Sequence, residues 1–149
     1  MNKPYILTLD DDPIVLKSVE RDLQHRYSQD YRIISINIGS AALDYLLRIQ
    51  SAEDLLALLL VDQRMPQMTG IEFLSRAHLL FPAAKKVLLT AYADTEAAID
   101  AINKVRLDYY LMKPWDPPEE NLYPILDDLL TEWQVGMFPP GTRPAAKNV

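Results

Sequence analysis

Short β-favouring runs alternate with segments of helical periodicity along most of this chain, and that alternation constrains the fold more than any single residue does. The runs fall at 5–9 (YILTL), 31–36 (YRIISI), 56–61 (LALLLV), 86–90 (KVLLT) and 108–112 (DYYLM). Asp12 followed by Pro13 predicts an N-cap with proline at the first helical position, and Val15, Leu16, Val19 and Leu23 continue it as an apolar stripe. Regions 40–49, 71–80 and 95–103 supply three more helices. The fifth lies within DPPEENLYPILDDLLTEW, residues 116–133, where Asp116 and Glu119 have capping-box spacing and Leu122, Ile125, Leu126, Leu129, Leu130 and Trp133 recur at helical intervals. Pro124 inside it predicts a kink or a later start.

Five strands alternating with five helices imply right-handed crossovers, hence a doubly wound α/β fold: a five-stranded parallel sheet with helices on both faces. Continuous rather than alternating apolar strands such as LALLLV fit strands buried on both sides. A length of 149 residues suits one domain. In such sheets the functional crevice lies outside the carboxyl ends of the strands. Strand one ends in Asp10, Asp11 and Asp12, strand three in Asp62 and strand four in Thr90, while strand five runs into Lys113-Pro114. Acids, a hydroxyl and an ammonium therefore converge on one edge.

Clustered carboxylates repel one another unless a cation neutralises them. A few hard oxygen ligands suit Mg2+, which keeps several waters and binds through one or two carboxylates plus a phosphate. With the metal in place, Asp62 can attack phosphorus and form an aspartyl phosphate, its charge shared by the metal, Thr90 and Lys113. The pattern predicts a site that accepts a phosphoryl group.

Composition narrows the partners. A net charge of -6 disfavours nucleic acid and anionic membrane surfaces, which require clustered Lys and Arg. The chain has no cysteine, which removes disulfides, thiolate zinc sites and thiol nucleophiles. MNKPYILTLDDD carries neither the basic segment nor the apolar run of a signal peptide, so a cytoplasmic location is expected.

ILTLDDDP, LLLVDQRMPQMTG, VLLTAYAD and YYLMKPW resemble, in order, the four blocks of the response-regulator receiver domain of two-component signalling, over roughly residues 4 to 133. The resemblance implies a flavodoxin-like sheet of order 2-1-3-4-5. It makes Asp62 the phosphoacceptor, with Mg2+ held by Asp10 and Asp11, of which Asp11 is a direct ligand, by Asp62 and by the backbone carbonyl of Arg64. Thr90 becomes the switch hydroxyl, Lys113 the lysine that precedes a cis-Pro114, and Tyr110 the rotating aromatic. The donor it implies is a histidine kinase or a phosphotransfer protein. The surface it implies for signalling, and in many members for homodimerisation, combines helix four, strand five and helix five, here with Lys104, Arg106, Asp108 and Tyr109. Arg64 replaces the asparagine common at the second position after the phosphoacceptor, and Tyr92 is bulky two places after Thr90, which together imply slow self-dephosphorylation; Trp115 stands where phenylalanine is frequent.

Each residue also has a plainer role: Asp10 to Asp12 as a helix cap, Asp62 as a strand-end turn residue, Thr90 as an ordinary strand residue, Lys113 as a surface lysine and Tyr110 as core. His25 and His78 are assigned to surface or packing, and Asp127 and Asp128 to a solvated helix face. Two other functional classes stay open: a Mg2+-dependent phosphohydrolase, weakened by Arg64 standing where a general acid belongs, and a receiver-like module that binds without being phosphorylated. The expected activity is signalling rather than enzymatic turnover. Residues 1–133 form the domain, and 134–149 (QVGMFPPGTRPAAKNV), rich in Pro, Gly and Ala, reads as a flexible tail or a linker to a C-terminal output module.

Overall fold

The computed structural model describes residues 2–90 and 106–138. Five parallel strands, β1 (Tyr5–Leu9), β2 (Arg32–Ile36), β3 (Leu56–Asp62), β4 (Lys85–Thr90) and β5 (Tyr109–Met112), lie in the order β2-β1-β3-β4-β5. The predicted doubly wound order is therefore the observed one. Three helices fill the first crossovers: α1 (Pro13–Tyr27), α2 (Gly39–Ser51) and α3 (Gly70–Leu80). The predicted helix at 95–103, with Tyr92 and Lys104, lies outside the described residues.

The central strand explains why the sheet has two cores. Every residue of β3 is buried. Because side chains alternate along a strand, Leu58 and Leu60 enter one cluster with Val19 and Leu23 of α1, while Leu59 and Val61 enter the other with Leu46 of α2 and Phe73 of α3. An aliphatic run without polar alternation suits this place, since both faces meet helices.

Two helix starts differ in an instructive way. Asp12 caps α1 as expected, its carboxylate accepting from the backbone N–H groups of Ile14 and Val15. The capping box expected at Asp116 and Glu119 does not form. The Asp116–Pro117 peptide bond is cis, and Pro117, with no side chain to cap, begins a single turn, α4 (Pro118–Asn121). The long helix α5 (Tyr123–Met137) starts only afterwards, with Pro124 in its first turn where a missing N–H costs nothing. The later start suggested by Pro124 is the one realised, and α5 continues past Trp133 to Met137.

Candidate functional site

Parallel pairing brings the ends of four strands to one edge. Leu9 pairs with Val61, Asp62 with Leu89, and Thr90 with Met112, so the residues that succeed β1 and β5 flank Asp62 and Thr90. Carboxylate oxygens of Asp10, Asp11 and Asp62 lie within 4.8 Å of one another. Asp10 and Asp62 are buried and Asp11 is exposed, which leaves the cluster open on one side. Asp10 is fixed from its own chain, its Oδ1 accepting from the Asp12 N–H at 3.0 Å.

Lys113 joins the cluster from the end of β5. Its Nζ donates to Asp62 Oδ1 at 2.7 Å and to Asp10 Oδ2 at 3.1 Å, and its backbone N–H donates to the Thr90 carbonyl at 3.1 Å. The Lys113–Pro114 peptide bond is cis. Thr90 is buried at the end of β4. Tyr110 is half-buried, packs on the cluster that holds Phe73 and Leu88, and stacks on Tyr109 at 6.4 Å. The described parts of the four blocks are thus assembled, with Arg64 exposed on the loop after Asp62.

Charge in the site is unbalanced. Burial pushes the Asp62 carboxyl above its ordinary range; the hydrogen bond from Lys113 opposes this, and the charges of Asp10 and Asp11 reinforce it. For Lys113 burial is the largest influence and disfavours the ammonium, yet the contacts with Asp62 and Asp10 together outweigh it and raise its pKa. Both partners of one ion pair thus move upward, Asp62 chiefly through burial with the neighbouring acids adding to it, and Lys113 through its contacts with Asp62 and Asp10. With all three ionised, three carboxylates against one ammonium leave two negative charges, which with three clustered oxygen donors fits a divalent cation.

The loop after Asp62 contributes residues that the sequence patterns did not single out. Gln63 closes it three ways: its N–H donates to the Leu89 carbonyl, its carbonyl accepts from the Gly70 N–H, and its side-chain oxygen accepts from the Ile71 N–H at 3.1 Å. Thr69 and Glu72 form the capping box that starts α3. Gly70 packs on the Asp62 backbone so closely that a Cβ there would lie 2.4 Å from the Asp62 carbonyl oxygen. Thr-Gly with Glu three positions after the Thr was the legible signal for that helix start.

The family model described as the response regulator receiver domain matches residues 6–122. The chain belongs to the response regulator receiver family. Among curated relatives, this receiver is 29% identical over 112 residues to the hydrogenase transcriptional regulatory protein HoxA of Cupriavidus necator, covering 75% of this chain and 21% of that protein. It is 32% identical over 117 residues to the transcriptional regulatory protein ZraR of Klebsiella oxytoca, covering 78% and 25%. The chain thus spans about a quarter or less of the curated relatives' length. Among solved structures, a CheY-like response regulator receiver domain protein from Methanospirillum hungatei superposes with a TM-score of 0.74 at 29% identity, covering 91% of this chain and 99% of that one. The signal receiver domain of an HD domain-containing protein from Pseudomonas fluorescens gives 0.77 at 26%, covering 92% and 93%. Among the described residues, no helix is long and apolar enough to cross a membrane.

Proposed function

We propose that this receiver is switched by an aspartyl phosphate formed at Asp62. A phosphohistidine of a histidine kinase or phosphotransfer protein is the donor: its N–P bond breaks with the electron pair left on the imidazole, and an O–P bond forms to an Asp62 carboxylate oxygen. The single observation that carries this is the Asp62 carboxylate, paired at 2.7 Å with Lys113 inside an acid cluster that keeps excess negative charge. Asp10, Asp11, Asp62 and the Arg64 carbonyl would hold Mg2+. When bound, the ion supplies charge neutralisation to the acids and the incoming phosphoryl group. Lys113 moves with the charge from Asp62 to a phosphoryl oxygen, and the Thr90 hydroxyl donates to another.

That movement produces the readout. Thr90 turning toward the phosphoryl group frees space that Tyr110 enters, which biases a surface built on β5, α5 and the predicted helix at 95–103. A homodimer or an output module C-terminal to the receiver reads that surface, in the cytoplasm and without direct contact with nucleic acid or membrane. The receiver itself turns over no substrate beyond gaining and slowly losing its phosphoryl group.

Incubation with Mg2+ and acetyl phosphate, followed by intact mass spectrometry, tests this. The expected outcome is a gain of one phosphoryl group by the wild type and none by Asp62→Ala. No gain with any donor would leave a module that binds its partners without phosphorylation.

A further inference from the structure

Trp115 lies two residues beyond Lys113, yet its contacts reach a different element. Its indole Nε1 donates to Asp22 Oδ2 on α1 at 3.2 Å. Both residues are only 6% exposed. A carboxylate in such a place needs a donor, because an unpaired buried charge is costly. The Asp22 backbone carbonyl is held as well, accepting from the Tyr123 hydroxyl at 2.8 Å, so the indole, Asp22 and the start of α5 form one buried junction. A phenylalanine ring would fill only part of the same apolar volume and could slide or turn within it; the indole N–H pins the ring to one depth and one orientation.

The junction lies where it can set Lys113. Just before the cis bond, the chain is fixed by the ladder, Lys113 N–H to the Thr90 carbonyl; one residue after Pro114, it is fixed by Asp22. Lys113 is strung between these points, and its Nζ spans Asp62 and Asp10 at 2.7 and 3.1 Å. The second point is carried by α1, the helix whose N-cap Asp12 donates its N–H to Asp10. From Asp12 to Asp22 is a rod of about 15 Å at the helical rise. One rigid element therefore ties down Asp10 at one end and the loop that delivers the ammonium at the other.

We propose that Trp115 and Asp22 are positioning residues that act through Lys113, holding its ammonium where the phosphoryl group of Asp62 arrives. This rests on Asp62 being the phosphoacceptor. Displacement of a group by about 1 Å at a reacting centre costs rate steeply, so the pair need not touch the phosphoryl group to matter.

The test is a double-mutant cycle read as the initial rate of phosphoryl gain from acetyl phosphate with Mg2+, by intact mass. Trp115→Phe is expected to slow uptake roughly five- to tenfold, and Asp22→Ala to act alike, while Asp22→Asn, which keeps an oxygen for the indole N–H, stays near wild type. In a Lys113→Ala background, Trp115→Phe is expected to change the rate by less than about twofold, because nothing remains for it to place. A role confined to folding would slow both backgrounds by the same factor, and that result would overturn the proposal. So would an unchanged rate for Trp115→Phe in a wild type that gains the group. A wild type that gains no group would overturn the phosphoacceptor assignment and, with it, this one. Should Trp115→Phe prove poorly folded by its thermal midpoint, the Asp22→Ala and Asp22→Asn comparison in both backgrounds decides alone.

Discussion

An alanine at position 70 would place its Cβ 2.4 Å from the Asp62 carbonyl oxygen and 2.9 Å from Leu88 Cδ1. The first is backbone of Asp62 itself and the second belongs to a fully buried side chain, so neither gives way cheaply. Gly70→Ala is therefore expected to lower stability by at least about 2 kcal/mol, despite alanine's better helix propensity. The shifted Asp62 backbone should also slow phosphoryl uptake, which urea denaturation and mass spectrometry would measure separately. At the same scale, Asp62 and Lys113 show why identity and environment must be read together. A carboxylate beside a lysine is ordinarily depressed; here burial and two neighbouring acids reverse the direction.

Helices α1 and α5 meet through a network that a helical wheel cannot show. Asp127, which the sequence assigns to a solvated face, accepts from both Arg26 nitrogens that reach it and from the Tyr27 hydroxyl at 2.7 Å. Arg26 also lies over the Tyr123 ring at 5.1 Å. The hydrogen bonds from Arg26 hold the Asp127 carboxyl below its ordinary value, against the opposing push of burial, with Tyr27 adding to the depression. A depressed folded-state pKa contributes stability that is present above the unfolded value of 3.8 and is lost as pH falls through the folded one. Asp127→Asn should thus lower the thermal midpoint near neutral pH and approach wild type in acid. The effect should be modest, since both side chains are partly exposed and salt screens them.

At the scale of the whole molecule, the proposed switch puts the charge change at one sheet edge and has β5 carry it outward. Tyr109 and Met112 are exposed on that strand, while Leu111 between them is buried and Thr90 pairs with Met112. With beryllofluoride and Mg2+ standing in for the phosphoryl group, hydrogen exchange is expected to change in β5 and the start of α5. Exchange in β1 and β3 should stay as it was, because those strands are buried and paired on both sides. Asp62→Ala should show neither change. Equal changes across the sheet would mean that the ligand stabilises the molecule globally and switches no particular surface.

The parallel sheet, the two-faced core and the convergence of Asp10, Asp11, Asp62, Thr90 and Lys113 were legible in the sequence, because they depend on local periodicity and on the residues at the carboxyl end of each strand. The strand order was implied by the family resemblance rather than by periodicity. The start of α5 was only half legible: Pro124 marked it, but Asp116 offered a false cap. What tertiary structure alone decided are the contacts between residues far apart in the chain. Gly70 against the Asp62 carbonyl, Trp115 to Asp22 and Arg26 to Asp127 leave no periodic trace, since each depends on how two finished elements approach. A side chain's partner is set by that approach, whereas its face is set by its spacing from its neighbours.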